Sequence, residues 1–315
     1  MRIAVIIPCF RCSRLVLDVI SKVGPEVETI FVVDDACPEK TGDLVRTTCA
    51  DPRVKVIFNS RNLGVGGAVK AGYVLAHREG FDVAVKIDGD GQMDPAEIPK
   101  FVAPIQNHHA DYTKGNRFFR VGDFVGMPRI RVFGNIGLSF ASKISSGYWD
   151  IFDPANGYTA IHLKVFRELE IARVHDRFFF ESDMLYQLGV IRAKIVDIPM
   201  RCIYAEEKSN LNEYKEIATF ARSHLRNFLK RMISSYFFRN VNIASVNLLL
   251  GLVLIIFGAS FGVHAWMRSA AENIPATSGT VMLSALPIII GTNLLLSFLS
   301  YDISQTPRDA IHNVL

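Results

Sequence analysis

Residues 82–95 read DVAVKIDGDGQMDP, a β-branched apolar run that breaks off in an acidic turn punctuated by glycine. An apolar run of this length, bounded by turn residues, is the pattern of a strand buried on both faces. Three similar runs precede it, IAVIIP (3–8), TIFVVDD (29–35) and VKVIFN (54–59), and amphipathic segments of helical length, 14–23, 40–49 and 65–78, separate them. Strand and helix in alternation predict an α/β domain with a mostly parallel central sheet covered by helices. In such sheets ligands bind beyond the carboxyl ends of the strands. The residues at those ends are Asp34 and Asp35, the segment after Asn59, and Asp88 through Asp94.

The chain has 315 residues, 35 Lys plus Arg against 31 Asp plus Glu, and is half hydrophobic. Disordered, collagen-like and disulfide-scaffold classes are excluded by the high apolar content and by only five cysteines. A formal net charge of +4 gives no case for a nucleic-acid partner. The charge is unevenly spread, because residues 240–301 hold only Arg268 and Glu272. On either side of that pair lie uncharged stretches, 240–267 and 273–301, each longer than the roughly 20 residues a helix needs to cross a bilayer. Two transmembrane helices are predicted, about 243–263 and 281–301. Pro287 and several glycines inside them are better tolerated in spanning helices than in soluble ones.

Arg222, Arg226, Lys230, Arg231 and Arg239 stand just before the first span with no acidic residue among them. Such a basic collar predicts a cytoplasmic N-terminal part, and two spans return the C-terminus to the same side. The N-terminal MRIAVIIPCF, with one basic residue and Pro8, reads as a strand and not as a secretory signal. The expected layout is a catalytic α/β domain over 1–210, a juxtamembrane amphipathic helical region over 211–240, a two-helix hairpin over 241–303 and a cytoplasmic tail over 304–315. Within the second region Ile217, Phe220, Ala221, Leu225, Phe228, Leu229, Met232 and Ile233 recur at helical spacing between basic residues. That pattern suits a helix lying at the membrane interface, or one packed on protein.

Asp88, Asp90 and Gln92 follow the strand of 82–87 directly. Two carboxylates separated by one glycine can present oxygens to one hard divalent cation, Gln92 adding a neutral oxygen, and the cation would bridge a diphosphate. The bland alternative is an Asp/Gly-rich turn. A calcium loop of the EF-hand type fails because no glutamate stands at the twelfth place. The glycines of SRNLGVGGAVKAG (60–72) lack GxGxxG spacing, so they read as a closely packed helix start with Asn62 as its cap. Cys9 and Cys12 form a single CxxC, without a second pair to complete a zinc site.

Taken in order, IIPCF (6–10), VVDDA (32–36), RNLGVGGAVKAG (61–72), DGDGQMDP (88–95), KGNRF (114–118), DPANGYTAI (153–161) and FFFESDML (178–185) resemble the family 2 glycosyltransferases of GT-A fold. Within them the likeness is to polyprenyl-phosphate sugar synthases of the dolichol-phosphate mannose synthase type, some of which carry paired C-terminal spans. The resemblance implies an enzyme that moves a sugar, with inversion, from a GDP- or UDP-sugar to polyprenyl phosphate. Pro8 would begin the nucleotide loop and Asp34 or Asp35 would contact the nucleoside. Asp88 would sit near ribose and metal, and Asp90 and Gln92 would ligate Mg²⁺ or Mn²⁺. Arg11 and Cys12 depart from the Asn and acidic residue that many relatives have there.

Sugar transfer to a lipid phosphate needs no strong base, because the acceptor is already ionised; it needs arginines to hold and aim it. Arg117 and Arg131 are the candidates for the acceptor phosphate, Arg129 standing beside the second, and Arg201 or Lys208 for closing over the donor diphosphate. Glu181 and Asp183 fall where relatives place an acid beside the reacting centre. Either would be the general base for a hydroxyl acceptor, or would orient sugar hydroxyls when the acceptor is a phosphate. SGYWDIFDPANGYTAI (146–161) reads as a loop over the sugar pocket, or as an ordinary hairpin. The expected partners are a nucleotide sugar, polyprenyl phosphate and a membrane, the bacterial inner membrane before the endoplasmic reticulum. The sequence is compatible with a homo-oligomer and fixes no copy number. The alternatives are a transferase of the same family acting on a saccharide or lipid hydroxyl, and a non-catalytic anchor with a decayed site.

Overall fold

The computed structural model describes residues 1–119, 129–200 and 213–315. These form two compact units, Met1–Phe228 with Pro307–Leu315, and Leu229–Thr306.

The first unit is built on a seven-stranded sheet. Its strands are β1 (Ile3–Cys9), β2 (Thr29–Asp34), β3 (Val54–Phe58), β4 (Val83–Lys86), β5 (Tyr112–Asn116), β6 (Thr159–His162) and β7 (Ile195–Pro199), in the spatial order β3-β2-β1-β4-β6-β5-β7. β3, β2, β1 and β4 are mutually parallel, β5 and β7 are parallel, and β6 runs antiparallel to both its neighbours. The helices between them are α1 (Val16–Ser21), α2 (Thr41–Thr48), α3 (Val65–Arg78), α4 (Ile98–Gln106), α5 (Arg129–Ser146), α6 (Leu163–Arg167) and α7 (Phe180–Val190), followed by α8 (Glu213–Ile233).

The side-chain alternation of the strands fills two apolar layers. Val5, Ile7, Val32, Val85 and Ile87 face one side and pack with Val16 and Ile20 of α1 and Phe101 and Ile105 of α4. Ala4, Ile6, Phe31, Val33 and Ala84 face the other, against Val69 and Tyr73 of α3 and Met184 and Leu188 of α7. Each large apolar side chain buried this way contributes roughly 1.5–3 kcal/mol, which is why β1 is apolar throughout and the interiors of β2 and β4 are nearly so. Lys86 in β4 and Lys114 in β5 are buried ammonium groups, each only 1% exposed, and Thr113, Asn116 and Thr159 are buried polar neighbours in β5 and β6.

The C-terminal segment belongs to this unit. Asp111, fully buried, accepts the backbone amides of Lys194 (2.7 Å), Ile311 (2.9 Å) and His312 (2.8 Å) and the His312 ring nitrogen (2.7 Å). The His312 ring stacks on His162 at 4.3 Å.

The second unit is a helical hairpin of α9 (Ile243–Glu272) and α10 (Ser278–Ser304), both long and apolar enough to cross a membrane. Asn242 opens α9 with a capping box and Thr277 caps α10. Gly251, Gly258 and Gly291 let the backbones approach. A Cβ on Gly291 would stand 2.8 Å from the Gly251 carbonyl, and Ser284 Oγ donates to the Gly258 carbonyl at 3.0 Å. Small residues at a helix contact are the usual means of association where lipid removes the hydrophobic drive. Arg231 of the basic collar forks onto Asp302 at the end of α10, at 2.6 and 3.0 Å.

Candidate active site

The parallel strands end at one edge, and the loops that leave them there converge on a cavity of about 360 Å³. Pro8, Phe10 and Cys12 reach it from the loop after β1, Asp35 from the loop after β2, Asn62 and Gly64 from the start of α3, and Asp88, Gly89 and Asp90 from the turn after β4. Arg177 and Phe178, just before α7, complete the lining. Phe10 and Phe178 are about half exposed there, at 44% and 51%, aromatic faces on which a planar base can stack.

The two acids after β2 do different work. Asp34 accepts the Cys37 amide at 2.7 Å and the Gly42 amide at 2.6 Å, fastening the start of α2, and it is not among the residues that line the cavity. Asp35 lines the cavity and accepts Asn59 Nδ2 (2.8 Å) and the amides of Leu63 (2.9 Å) and Gly64 (2.7 Å). Gly64 sits at φ +90°, a conformation closed to most side chains. It stands at the N-cap of α3 in place of Asn62, with its amide donated to Asp35.

In the turn after β4, Asp88 Oδ1 lies 2.9 Å from Lys86 Nζ, and Asp90 Oδ1 accepts the Gln92 amide at 3.0 Å. Among the described residues no group of three or more His, Cys, Asp or Glu stands at metal-binding spacing. Asp88 and Asp90 both line the cavity and Gln92 is not among its lining residues; two carboxylates fit an Mg²⁺-type site, in which one or two carboxylates hold the ion and substrate phosphates complete its shell.

Lys86 also lies 3.2 Å from Glu181 Oε1, so a buried ammonium joins the turn after β4 to the first turn of α7. Burial alone would lower the lysine's pKa, but Asp88 and Glu181 outweigh it and hold Lys86 above its ordinary value. Asp183 points elsewhere: it accepts the His175 amide and Asn227 Nδ2, each at 2.8 Å, and is buried. Two residues apart on a helix means about 200° of rotation, so the two acids point to different sides; neither is among the residues lining the cavity, and Glu181 reaches it only through Lys86 and Asp88.

Arg117, just past β5, forks onto Asp153 at 2.7 and 2.9 Å, and its amide reaches the same carboxylate at 3.2 Å. Burial would raise the Asp153 carboxyl, yet the hydrogen bonds and charge of Arg117 hold it below the usual aspartate range. Lys114 donates to the Asn156 carbonyl; burial pulls its pKa down to about 8, only partly offset by Asp153, Glu181 and Asp197. Residues 147–158 are irregular and lead into β6, with Asn156 and Gly157 seated on the two buried lysines. Arg129 and Arg131 lie in the first turn of α5. Arg201 and Lys208 lie outside the described residues. No motif marks Lys86 or Arg177; the signal for Lys86 is a lone charge inside an apolar strand.

A seven-stranded, mostly parallel sheet with an acidic turn at the switch between its parallel and antiparallel strands defines a GT-A fold. Glycosyl transferase family 2 matches residues 4–170, and the chain belongs to that family. Among curated relatives, it is 28% identical over 218 residues to the UDP-N-acetylglucosamine–dolichyl-phosphate N-acetylglucosaminyltransferase of Methanococcus voltae, covering 65% of this chain and 86% of that one. It is 29% identical over 211 residues to the undecaprenyl-phosphate mannosyltransferase of Micrococcus luteus, covering 65% and 85%. Glucosyl-3-phosphoglycerate synthase from Mycobacterium tuberculosis, solved with Mn²⁺, UDP and glucosyl-3-phosphoglycerate, shares the fold with a TM-score of 0.53. That likeness, at 16% identity, covers 73% of this chain and 79% of that one.

Proposed function

We propose that this chain is a membrane-anchored, inverting glycosyltransferase that moves a sugar from a GDP- or UDP-linked donor to polyprenyl phosphate at the cytoplasmic face. The observation that carries this reading is the convergence of Pro8, Asp35, Asp88 and Asp90 on one cavity at the carboxyl edge of the sheet. The names of the Methanococcus and Micrococcus relatives support a polyprenyl-type phosphate acceptor. Mg²⁺ or Mn²⁺ held by Asp88, Asp90 and Gln92 would supply Lewis-acid charge to the departing diphosphate.

The chain's own residues do the rest. Asp35 and the loop at Pro8 hold the nucleoside, with Phe10 and Phe178 flanking the base. Arg201 or Lys208 closes over the donor diphosphate. Arg117, fixed in orientation by Asp153, and Arg131 on α5 receive the acceptor phosphate, since a planar fork matches phosphate oxygens better than a point charge. The acceptor is already anionic, so Glu181 orients sugar hydroxyls and no proton has to be removed from the nucleophile. α9 and α10 anchor the enzyme; α8 leads into them as the juxtamembrane helix. The spans carry no ionisable pathway, which supports anchoring without transbilayer movement of product.

A second reading is favoured by the place of Glu181 beside Asp88: with a saccharide or lipid hydroxyl as acceptor, Glu181 would be the general base. Purified protein incubated with Mg²⁺, a panel of radiolabelled nucleotide sugars, and either polyprenyl phosphate or the corresponding alcohol separates the two. Label in a mild-acid-labile lipid phosphosugar supports the first reading. Label only in an acid-stable glycoside overturns it.

A further inference from the structure

We infer that Lys86 is a positioning residue of the transfer reaction, one that ties Asp88 of the acidic turn to Glu181, the acid that orients the sugar, and fixes their separation. The inference rests on the functional reading above. Three independent features carry it.

The first is cost. A lysine 1% exposed inside an apolar strand is expensive, and its neighbours in the strand, Val83, Ala84 and Val85, show what packing alone selects there. The second is geometry. Lys86 Nζ is 2.9 Å from Asp88 Oδ1 and 3.2 Å from Glu181 Oε1, carboxylates that come from a strand end and a helix 93 residues further along the chain. Nothing else described makes an ion pair with either carboxylate. The third is enclosure. Lys86 is the register partner of Thr159 on β6, which is also the partner of Lys114 on β5, so the three lie in one row across the sheet. Over that row sits Gly157, leaving no room for a Cβ beside the ammonium. The ammonium is therefore held between two carboxylates with the Gly157 backbone against it.

A clamp of this kind acts through Asp88 and Glu181 and touches neither donor nor acceptor itself. Its loss leaves the nucleoside contacts of Pro8 and Asp35 in place and lets the reacting groups drift. Misplacement by about 1 Å costs on the order of 10²-fold in rate. Residues that act as one unit also give non-additive losses.

The test is a kinetic cycle on the full-length protein with its polyprenyl phosphate acceptor, using Lys86→Met, Glu181→Gln and the double variant. The expected result is a kcat about 100-fold lower for Lys86→Met with donor KM changed by less than about threefold, and a double variant no slower than the slower single. A Lys86→Met enzyme with near wild-type kcat, or losses that multiply in the double variant, would overturn the inference. Lys86→Gln, which keeps a neutral donor in the site, repeats the measurement if the methionine variant does not fold. Failure of both to fold would also overturn it, making Lys86 a stability residue alone. Wild-type protein that forms no lipid phosphosugar contradicts the functional reading instead; the same cycle is then run on whichever acceptor takes the label.

Discussion

Gly157 lies against the Lys86–Asp88 ion pair so closely that a Cβ at this glycine would stand 2.7 Å from Asp88 Oδ2 and inside contact distance of Lys86 Nζ. The loop before β6 is thus shaped around the acidic turn after β4. Gly157→Ala is expected to push the carboxylate from its place and lower kcat by roughly 10- to 100-fold. The fold should persist, because the alanine needs only a side-chain shift. Steady-state rates beside a thermal melt check both halves; a variant with wild-type kcat would show that the carboxylate's placement does not matter.

Arg117 is held by Asp153 through two hydrogen bonds, a geometry lysine cannot reproduce. Arg117→Lys is expected to raise the KM for polyprenyl phosphate at least tenfold and to change the donor KM much less. Titrating each substrate at saturation of the other measures this. Equal changes in both constants would remove Arg117 from the acceptor side.

Lys114, pulled down to about 8 by burial, makes stability depend on pH. The unfolded lysine titrates near ~10.4, so between about pH 8 and 10.4 the unfolded chain binds a proton that the folded chain has lost. Stability from this group therefore rises with pH across that window and is lost as pH falls through 8. Thermal midpoints measured from pH 7 to 10 should show this rise, and Lys114→Met should abolish it.

The C-terminal segment is fastened by Asp111, whose carboxylate accepts four hydrogen bonds, two of them from His312. Asp111→Ala should cost on the order of 3 kcal/mol, read as a lower thermal midpoint of the catalytic unit. His162, stacked on His312, is lowered to about 4 by burial and then by the His312 charge. A lowered histidine contributes stability that is present above about pH 6.5 and lost as pH falls toward 4. His162→Phe should flatten that acid limb.

β1 to β4 are plain because continuous β-branched runs have few alternatives, and they fall within a residue or two of the runs read from the sequence. β6 is only four residues, TAIH, and nothing local reveals that it runs antiparallel between β4 and β5. Asp34 and Asp35 are adjacent and alike in sequence. Which one faces the cavity depends on where the amides of Cys37, Gly42 and Gly64 point, a property of backbone turns. Glu181 and Asp183 are separated by helix phase, which the sequence does carry, but the partner that gives Glu181 its place, Lys86, is remote in the chain. Arg231 reads as one cation of a basic collar, while its pairing with Asp302 spans the whole hairpin.

Delivery of a nucleotide-linked sugar to a polyprenyl phosphate by the acidic turn at Asp88–Asp90 is the step proposed above. It is tested most directly by counting label in the organic-soluble, mild-acid-labile fraction after incubation with Mg²⁺, donor and polyprenyl phosphate, for the wild type and for Asp90→Ala. Transfer by the wild type is expected, with its loss when the cation is chelated and a fall of at least about 10²-fold in the folded Asp90→Ala variant. Transfer that survives both treatments undiminished would contradict the proposal.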